Sequence, residues 1–132
     1  MWLCTNRGFL SIVANPADAK LLLVRARRKG DIESLFPDAD VRRTPGRDYL
    51  YRASVGRDVV SVAVMQAFSK IDYGNFKNSV KNRDLHHAYA EVWQLMSELQ
   101  AVKPYGRDSA AARTREGEDK IKSRSPKGRS SI

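Results

Sequence analysis

The chain has 132 residues, of which 42% are hydrophobic and 30% are charged, and its formal net charge at pH 7 is +9. This length suffices for one domain that buries about two-thirds of its unfolded surface, so folding requires neither disulfides nor a metal. The basic excess favours an acidic partner, which leaves nucleic acid, an anionic membrane surface and acidic proteins as candidates.

The N-terminal residues and the single cysteine indicate the compartment. Residues 1–9 lack the basic start and apolar run of a signal peptide, and no stretch reaches the ~20 apolar residues of a membrane span. Cys4 has no second cysteine with which to form an internal disulfide, which is typical of a reducing compartment. We therefore predict a cytoplasmic protein in which Cys4 is a small buried core residue.

The first fourteen residues predict a hairpin. Two short extended segments, Trp2–Thr5 and Phe9–Ala14, are joined by a link that ends in Gly8. A glycine at that point supplies the positive φ that a tight hairpin requires, so we expect Gly8 in the left-handed region.

The run KLLLVRARRKG, at Lys20–Gly30, predicts a third strand. Because side chains alternate between the two faces of a strand, Arg25 and Arg27 share one face while Val24 and Ala26 share the other. One face of this strand is therefore expected in the core, and the opposite face is partly basic.

A short helix and a loop follow. Gly30 and Asp31 indicate a turn into a helix over residues 32–36, with the Asp31 carboxylate accepting backbone N–H groups at its start. Residues 37–48 are rich in Pro, Asp and Gly and predict a loop, with a brief extended piece at Val41–Arg43.

Residues Asp48–Val55 predict the next strand. Arg52 is expected on the same face as the arginines of the third strand. The opposite face of this strand, which carries Tyr49, Tyr51, Ala53 and Val55, is expected in the core.

Helices are predicted in the second half of the chain. After Gly56, apolar residues recur at spacings of three and four over residues 59–71, and this stripe predicts a helix. Asn75–Val80 predicts a single helical turn. Asp84–Gln100 predicts a longer helix that has Asp84 as its N-cap.

These elements predict one α+β domain over residues 1–102. It has a small, mostly antiparallel sheet of about three or four strands with two or three helices on one face, an arrangement loosely related to ferredoxin-like folds. Residues 103–132 contain almost no large apolar residue and hold nine Lys/Arg and four Asp/Glu. We expect this basic C-terminal tail to be disordered in isolation, because it cannot bury enough surface to offset the entropy of ordering.

Several segments together resemble a family of small uncharacterised bacterial and phage or plasmid proteins. They are Gly8-Phe9, LVRAR at Leu23–Arg27, Phe36-Pro37, Thr44-Pro45, DYLYR at Asp48–Arg52, IDYGNFK at Ile71–Lys77, and Tyr89, Val92, Trp93, Met96, Leu99 and Gln100. The resemblance covers residues 1–100 and implies a fold-sized unit in a bacterial or mobile-element setting, with no activity attached.

The sequence offers few residues that suit catalysis or metal binding. His86 and His87 are adjacent on a predicted helix, so their side chains point about 100° apart and do not chelate one ion. The sequence has no G-x-S-x-G turn, P-loop or G-x-G-x-x-G motif. We therefore expect no catalytic residues, no metal and no cofactor. A small nuclease is the weaker alternative, with either histidine as general base and Lys77, Arg83 or Tyr73 stabilising the phosphorane.

The basic residues carry the main functional signal. The forked guanidinium groups of arginine suit phosphate or carboxylate. The alternative interpretation is that these scattered arginines only form a solvated surface. Aromatic residues are not interleaved at Leu23, Leu50 or Ser54, so we expect contacts to be mainly electrostatic. The candidate binding residues are Arg25, Arg27, Arg28, Lys29, Arg52, Arg42, Arg43 and Arg47.

A second candidate surface is the turn after the first long helix. Tyr73, Phe76 and Lys77 are a possible anchor for a partner, and packing of the two aromatics beneath the loop is the alternative.

The leading hypothesis is a non-enzymatic binding module that engages nucleic acid or a nucleoprotein complex through the basic sheet face and the cationic tail. The alternative is a phage- or plasmid-encoded protein-interaction factor that inhibits a host or defence complex, with the basic face docked on an acidic protein. The oligomeric state stays open, because Leu21, Leu23 and Leu50 on an uncovered sheet face also suit a dimer interface.

Overall fold

The structure, a computed structural model, describes residues 1–102. The predicted tail, residues 103–132, lies outside the described residues. The strands are β1 (Trp2–Cys4), β2 (Phe9–Ala14), β3 (Leu21–Ala26), β4 (Arg42–Arg43) and β5 (Tyr51–Gly56). The helices are α1 (Arg57–Ser69), α2 (Phe76–Ser79) and α3 (Arg83–Met96), and a 3₁₀ turn follows at Ser97–Leu99.

The five strands form one antiparallel sheet in the order β1-β2-β3-β5-β4. The predicted α+β class and the brief strand within the loop before Asp48 are confirmed. All five strands precede the three helices in the described part of the chain, so the βαβ units of a ferredoxin-like topology are not formed there.

The chain divides into two units, Met1–Tyr89 and Ala90–Ile132. The first unit holds the whole sheet together with α1 and α2. In the second unit, the described residues comprise the end of α3 and the 3₁₀ turn. There the apolar residues Val92, Leu95, Met96 and Leu99 are exposed.

The main core lies on one face of the sheet. Alternation in β3 is as predicted, because Val24 and Ala26 are fully buried. Burying a valine or leucine side chain stabilises a fold by about 1.5–3 kcal/mol, so this face supplies most of the driving force for folding. The buried residues of this cluster are Leu10, Ile12, Val24, Ala26, Ile32, Phe36, Ala53, Val55 and Val60.

Helix α1 covers this core with a narrower stripe than the sequence predicts. Val60 is buried, and Ala63 and Val64 pack against the cluster. Phe68 and Ile71, which belong to the predicted stripe, are 65% and 49% exposed. The helix therefore forms where it is predicted, but much of its apolar surface faces outward.

A second, smaller cluster lies on the opposite face of the sheet. Phe9 is next to Leu10 in β2 and so points away from the main core. It packs with Phe76, Val80, Leu85 and Tyr89, which come from α2, the turn after it and the start of α3. The helices are therefore divided between the two faces, whereas the sequence predicts them on one.

Gly8 is required for a different reason than the predicted one. Among the described glycines, positive φ angles are found at Gly30 (92°) and Gly46 (80°). A Cβ atom on Gly8 would lie 3.0 Å from Asp31 Cγ and 3.1 Å from Asp31 Cα. Glycine is therefore needed here because the Asp31 backbone and side chain approach the hairpin closely.

Residues 31–36 form successive turns, so the predicted helix is wrong. The N–H groups of Ser34 and Phe36 donate to Gly30 O and Ile32 O, both at 2.9 Å. Pro37 follows at once, which leaves too few residues for a stable helix. The Asp31 carboxylate accepts hydrogen bonds from outside this segment, as described below.

Asparagine side chains cap the N-termini of α2 and α3. Asn75 Oδ1 accepts the Asn78 N–H at 3.1 Å at the start of α2, where the helical turn is as predicted. Asn82 Oδ1 accepts the Leu85 N–H at 3.0 Å, so Asn82 and not Asp84 caps α3. Asp84 lies in the first turn, where its negative charge still interacts favourably with the helix dipole.

Cys4 is exposed, contrary to its predicted burial. It lies in β1, an edge strand whose Leu3 side chain packs on the main core while Trp2 and Cys4 face outward. Among residues 1–102, no helix has the length and apolar character needed to cross a bilayer.

Candidate functional site: the arginine face

A row of directly opposed residues crosses all five strands. Trp2 is the partner of Ser11, Ser11 of Arg25, Arg25 of Arg52, and Arg52 of Arg42. Directly opposed residues in antiparallel strands project from the same face of a sheet. We call these five residues the cross-strand row, and the sheet surface that carries them, opposite the main core, the arginine face.

Tyr49 lies beneath two of the arginines on this face. The guanidinium carbons of Arg25 and Arg27 are 4.7 and 4.5 Å from the centroid of its ring, and Tyr49 is only 4% exposed. Each such cation–π contact contributes about 0.5–2 kcal/mol. Tyr49 precedes β5 and belongs to the arginine face, so its predicted place on the core face is wrong, as is the expectation that this face lacks aromatics.

Hydrogen bonds hold the arginine side chains in defined orientations. Arg25 Nη2 donates to Ser11 Oγ at 2.7 Å, and Arg27 Nη1 donates to Asp48 O at 2.8 Å. Arg52 Nη2 donates to Asp48 Oδ1, also at 2.8 Å. These three arginine side chains are therefore already oriented in the absence of a partner.

Two acids partly neutralise the arginine face. Asp48 pairs with Arg52, and Asp40 pairs with Arg42 at 3.1 Å, where the two side chains are 80% and 78% exposed. Pairs this exposed are worth about 0–1 kcal/mol, because water screens them and the side chains remain free to move. Phosphate oxygens can replace such carboxylates at little cost.

Two arginines of the row each keep one buried donor without a partner among the described residues. Arg25 Nε and Arg52 Nε are buried and have no hydrogen-bond partner within the described part of the chain. A buried donor without an acceptor costs about 1–3 kcal/mol, and apolar residues at such positions are often as stable or more stable. Burying these two donors therefore offsets part of the stability that the contacts with Ser11, Asp48 and Tyr49 provide.

Trp2 places an open aromatic ring at one end of the row. Its side chain is 73% exposed and meets the ring of Phe9 edge to face, with the centroids 5.8 Å apart. An exposed indole at the end of a row that also carries three arginines offers a surface on which an unpaired base can stack. Trp2 is not predicted as a binding residue from the sequence, because only the register of β1 against β2 brings it into line with the arginines.

The other predicted basic residues do not all join this site. Arg28 turns to Asp31, with which it makes a 2.8 Å ion pair, and to Asn82 Oδ1 at 2.8 Å. The hydrogen bond that Arg28 donates to Asp31 raises the pKa of Arg28 above its ordinary value. Arg43 is opposite Tyr51 and so projects from the other face of the sheet, while Lys29 and Arg47 are exposed in turns.

The predicted aromatic anchor belongs largely to the second core cluster. The ring centroid of Phe76 is 5.9 Å from that of Tyr73 and 5.3 Å from that of Tyr89. Phe76 therefore packs beneath the turn, and Lys77 is half-buried in α2. Of these three residues, Tyr73 also lines a cleft between β1 and the end of α1.

Residues 1–102 contain no group of three or more His, Cys, Asp or Glu side chains placed to hold a metal ion. The comparisons with protein-family models, curated proteins and solved structures find no match to the chain. The geometry of the arginine face is therefore the main indication of function.

Proposed function

We propose that the protein is a binding module for single-stranded nucleic acid and that the arginine face is its binding surface. The observation that carries this proposal is the cross-strand row, which aligns exposed Trp2 with Arg25, Arg52 and Arg42 on one sheet face. Guanidinium groups bind phosphates through paired N–H donors, and the indole stacks a base.

The charge on the face favours a polyanion of modest contact area. The arginine face carries two carboxylates and four arginines, so it has an excess of two positive charges. The arginines are Arg25, Arg27, Arg42 and Arg52. Residues 103–132 add nine Lys/Arg and four Asp/Glu to the same chain. We infer that the face selects unpaired bases and that the tail adds affinity that does not depend on sequence.

The proposal is tested by fluorescence anisotropy with a labelled strand of about 12 nucleotides, as RNA and as DNA, and with the matching duplex. Each titration is run at about 50 and about 200 mM salt. We expect Arg27→Glu combined with Arg42→Glu to weaken single-strand binding at least about tenfold at low salt. The slope of log affinity against log salt is expected to decrease by about 1.4, which corresponds to two phosphate contacts.

The matched control is Lys20→Glu combined with Lys70→Glu, which changes the net charge equally through two exposed residues outside the row. This control is expected to have a much smaller effect on both affinity and slope. An equal loss in both double variants would show that only the overall charge matters and would overturn the assignment of the site.

Trp2→Ala tests the stacking part of the proposal. We expect a loss of about 1–3 kcal/mol in single-strand affinity with an unchanged salt slope. In a Trp93→Phe background Trp2 is the only tryptophan, so its fluorescence should be quenched on binding. Unchanged affinity, or duplex bound as tightly as the single strand, would refute a preference for unpaired bases.

A further inference from the structure

A cleft of about 340 Å³ lies between β1 and the C-terminal half of α1. Its apolar surface comes from Leu3, Leu35, Val64 and Ala67 among others. This size is at the lower end of the usual range for ligand pockets. Leu3 reaches the cleft from the core side of the sheet, and no residue of the cross-strand row lines it.

The edge of β1 beside this cleft has free backbone groups. Met1 and Ile12 exchange two hydrogen bonds of 2.8 Å, and the Thr5 N–H donates to Gly8 O at 3.0 Å. In an antiparallel pair, the residues between such bonded pairs point their N–H and C=O groups the other way. Trp2 and Cys4 therefore direct their backbone donors and acceptors toward the open edge.

The two edges of the sheet differ in their protection. Both residues of β4 are arginines, whose charge discourages pairing with another strand. β1 carries no charged side chain and no proline, so nothing in the strand itself opposes the addition of a further strand. The unprotected edge is the one that adjoins the cleft.

The charge of the cleft indicates the kind of partner. Arg7 and Lys70 are exposed at its lining, and none of the described residues that line it is acidic. Arg7 Nη2 donates to Ser34 O at 2.8 Å, which fixes its guanidinium group at the mouth. A segment with carboxylates close to an apolar side chain would match this lining.

We propose that the edge of β1 and the adjoining cleft bind an extended acidic peptide segment of another protein. The segment adds a sixth strand by pairing with the backbone of Trp2 and Cys4, and its alternate side chains enter the cleft between Leu3 and α1. Its acidic residues lie beside Arg7 and Lys70. A second copy of the chain is a poorer occupant, because its β1 strand carries no carboxylate to place beside Arg7 and Lys70.

The test uses a fluorescein-labelled peptide of about seven residues, a usual strand length, in which valine alternates with threonine and two aspartates follow. Its binding to the full chain is measured by anisotropy. Cys4→Pro removes the outward N–H and leaves the bonds between β1 and β2 intact, so we expect it to weaken binding at least about tenfold. Cys4→Ser keeps the N–H and is the matched control, with an expected change of less than about twofold.

Three further comparisons do not depend on the folding of Cys4→Pro. A peptide methylated on the amides that face β1 is expected to bind at least about tenfold more weakly. Lys70→Glu should weaken binding of the acidic peptide, whereas Lys20→Glu should not. A peptide with lysines in place of the aspartates is expected to bind at least about tenfold more weakly.

Other results would overturn the proposal. Equal binding of the methylated peptide would exclude strand addition, and equal binding of the lysine peptide would exclude charge recognition. No binding of the acidic peptide up to about 1 mM would reject the site altogether. A dimer in sedimentation that Cys4→Pro dissociates would assign the edge to a second copy.

Discussion

Tyr89 connects α3 to the turn of the β1–β2 hairpin through its hydroxyl group. The hydroxyl lies 2.8 Å from Gly8 O and 2.9 Å from Thr5 O, and Tyr89 is 5% exposed. Burial raises the pKa of this tyrosine well above its ordinary value, and the nearby Cys4 and Asp31 add to the effect. The folded protein therefore strongly prefers the neutral hydroxyl.

This shift predicts a loss of stability at alkaline pH. Because the pKa of Tyr89 is higher in the folded than in the unfolded chain, its contribution is complete below about pH 10 and decreases as pH rises above that value. Chemical unfolding at a series of pH values should show the decrease, at up to about 1.4 kcal/mol per pH unit from this group. Tyr89→Phe should be less stable at pH 8 by about 1–2 kcal/mol but should lose less on further alkalinisation. Parallel pH profiles for the two proteins would contradict this account.

At the residue scale, the arginines divide by what their neighbours do. Arg27 rests on the Tyr49 ring and remains exposed, whereas Arg28, the next residue, is held by Asp31 and Asn82. The sequence predicts the same role for both. Both residues follow the end of β3 at Ala26, so strand alternation no longer decides where they point and their neighbours do.

At the element scale, Asp31 links the turns after β3 to the hairpin. Its carboxylate accepts the Phe9 N–H at 3.2 Å and the Arg28 Nη2 at 2.8 Å, and its side chain is 5% exposed. Arg28 in turn donates to Asn82, the cap of α3. One buried carboxylate thus joins β2, the turns at 28–36 and the start of α3.

Replacement of Asp31 is therefore expected to be costly. Asp31→Ala leaves the Phe9 N–H and part of the Arg28 guanidinium without an acceptor, which should lower the free energy of unfolding by about 2–3 kcal/mol. Asp40→Ala removes a carboxylate from the exposed pair with Arg42 and should change stability by less than about 0.5 kcal/mol. Urea unfolding of the two variants measures this difference, and similar values would show that burial does not distinguish the pairs.

At the scale of the whole molecule, stability and the extra positive charge are carried by different parts of the chain. The residues of both core clusters lie between Leu3 and Tyr89. Residues 103–132 contribute nine of the 24 Lys/Arg and four of the 15 Asp/Glu, so their removal lowers the net charge from +9 to +4. Folding and electrostatic affinity should therefore respond separately to truncation.

Deleting residues 103–132 tests this separation. We expect the midpoint of thermal unfolding to change by less than about 2 °C, because no residue of either cluster is removed. Affinity for single-stranded nucleic acid should fall, and its salt dependence should become shallower as phosphate contacts are lost. A large drop in the midpoint would contradict the first expectation, and an unchanged salt dependence would contradict the second.

The residue pattern of a segment predicts its structure where local interactions alone determine that structure. The alternation of Val24 and Ala26 with Arg25 predicted the inward and outward faces of β3, and the spacing of apolar residues after Gly56 predicted α1. The helix predicted at 32–36 does not form, because the Asp31 carboxylate that would cap it instead accepts hydrogen bonds from Phe9 and Arg28. Phe9 lies 22 positions from Asp31, so this contact leaves no pattern within the segment itself.

The sequence by itself determined the α+β class, the positions of most strands and helices, and the face of β3 that carries arginine, because these follow from residue periodicity and turn chemistry. Only the tertiary structure decided that Trp2, Arg25, Arg52 and Arg42 align in one row and that Tyr49 lies beneath the arginines. It also decided that β1 is an open edge beside a basic cleft. The physical reason is strand register: a shift of one residue between two strands would move every side chain of one of them to the other face.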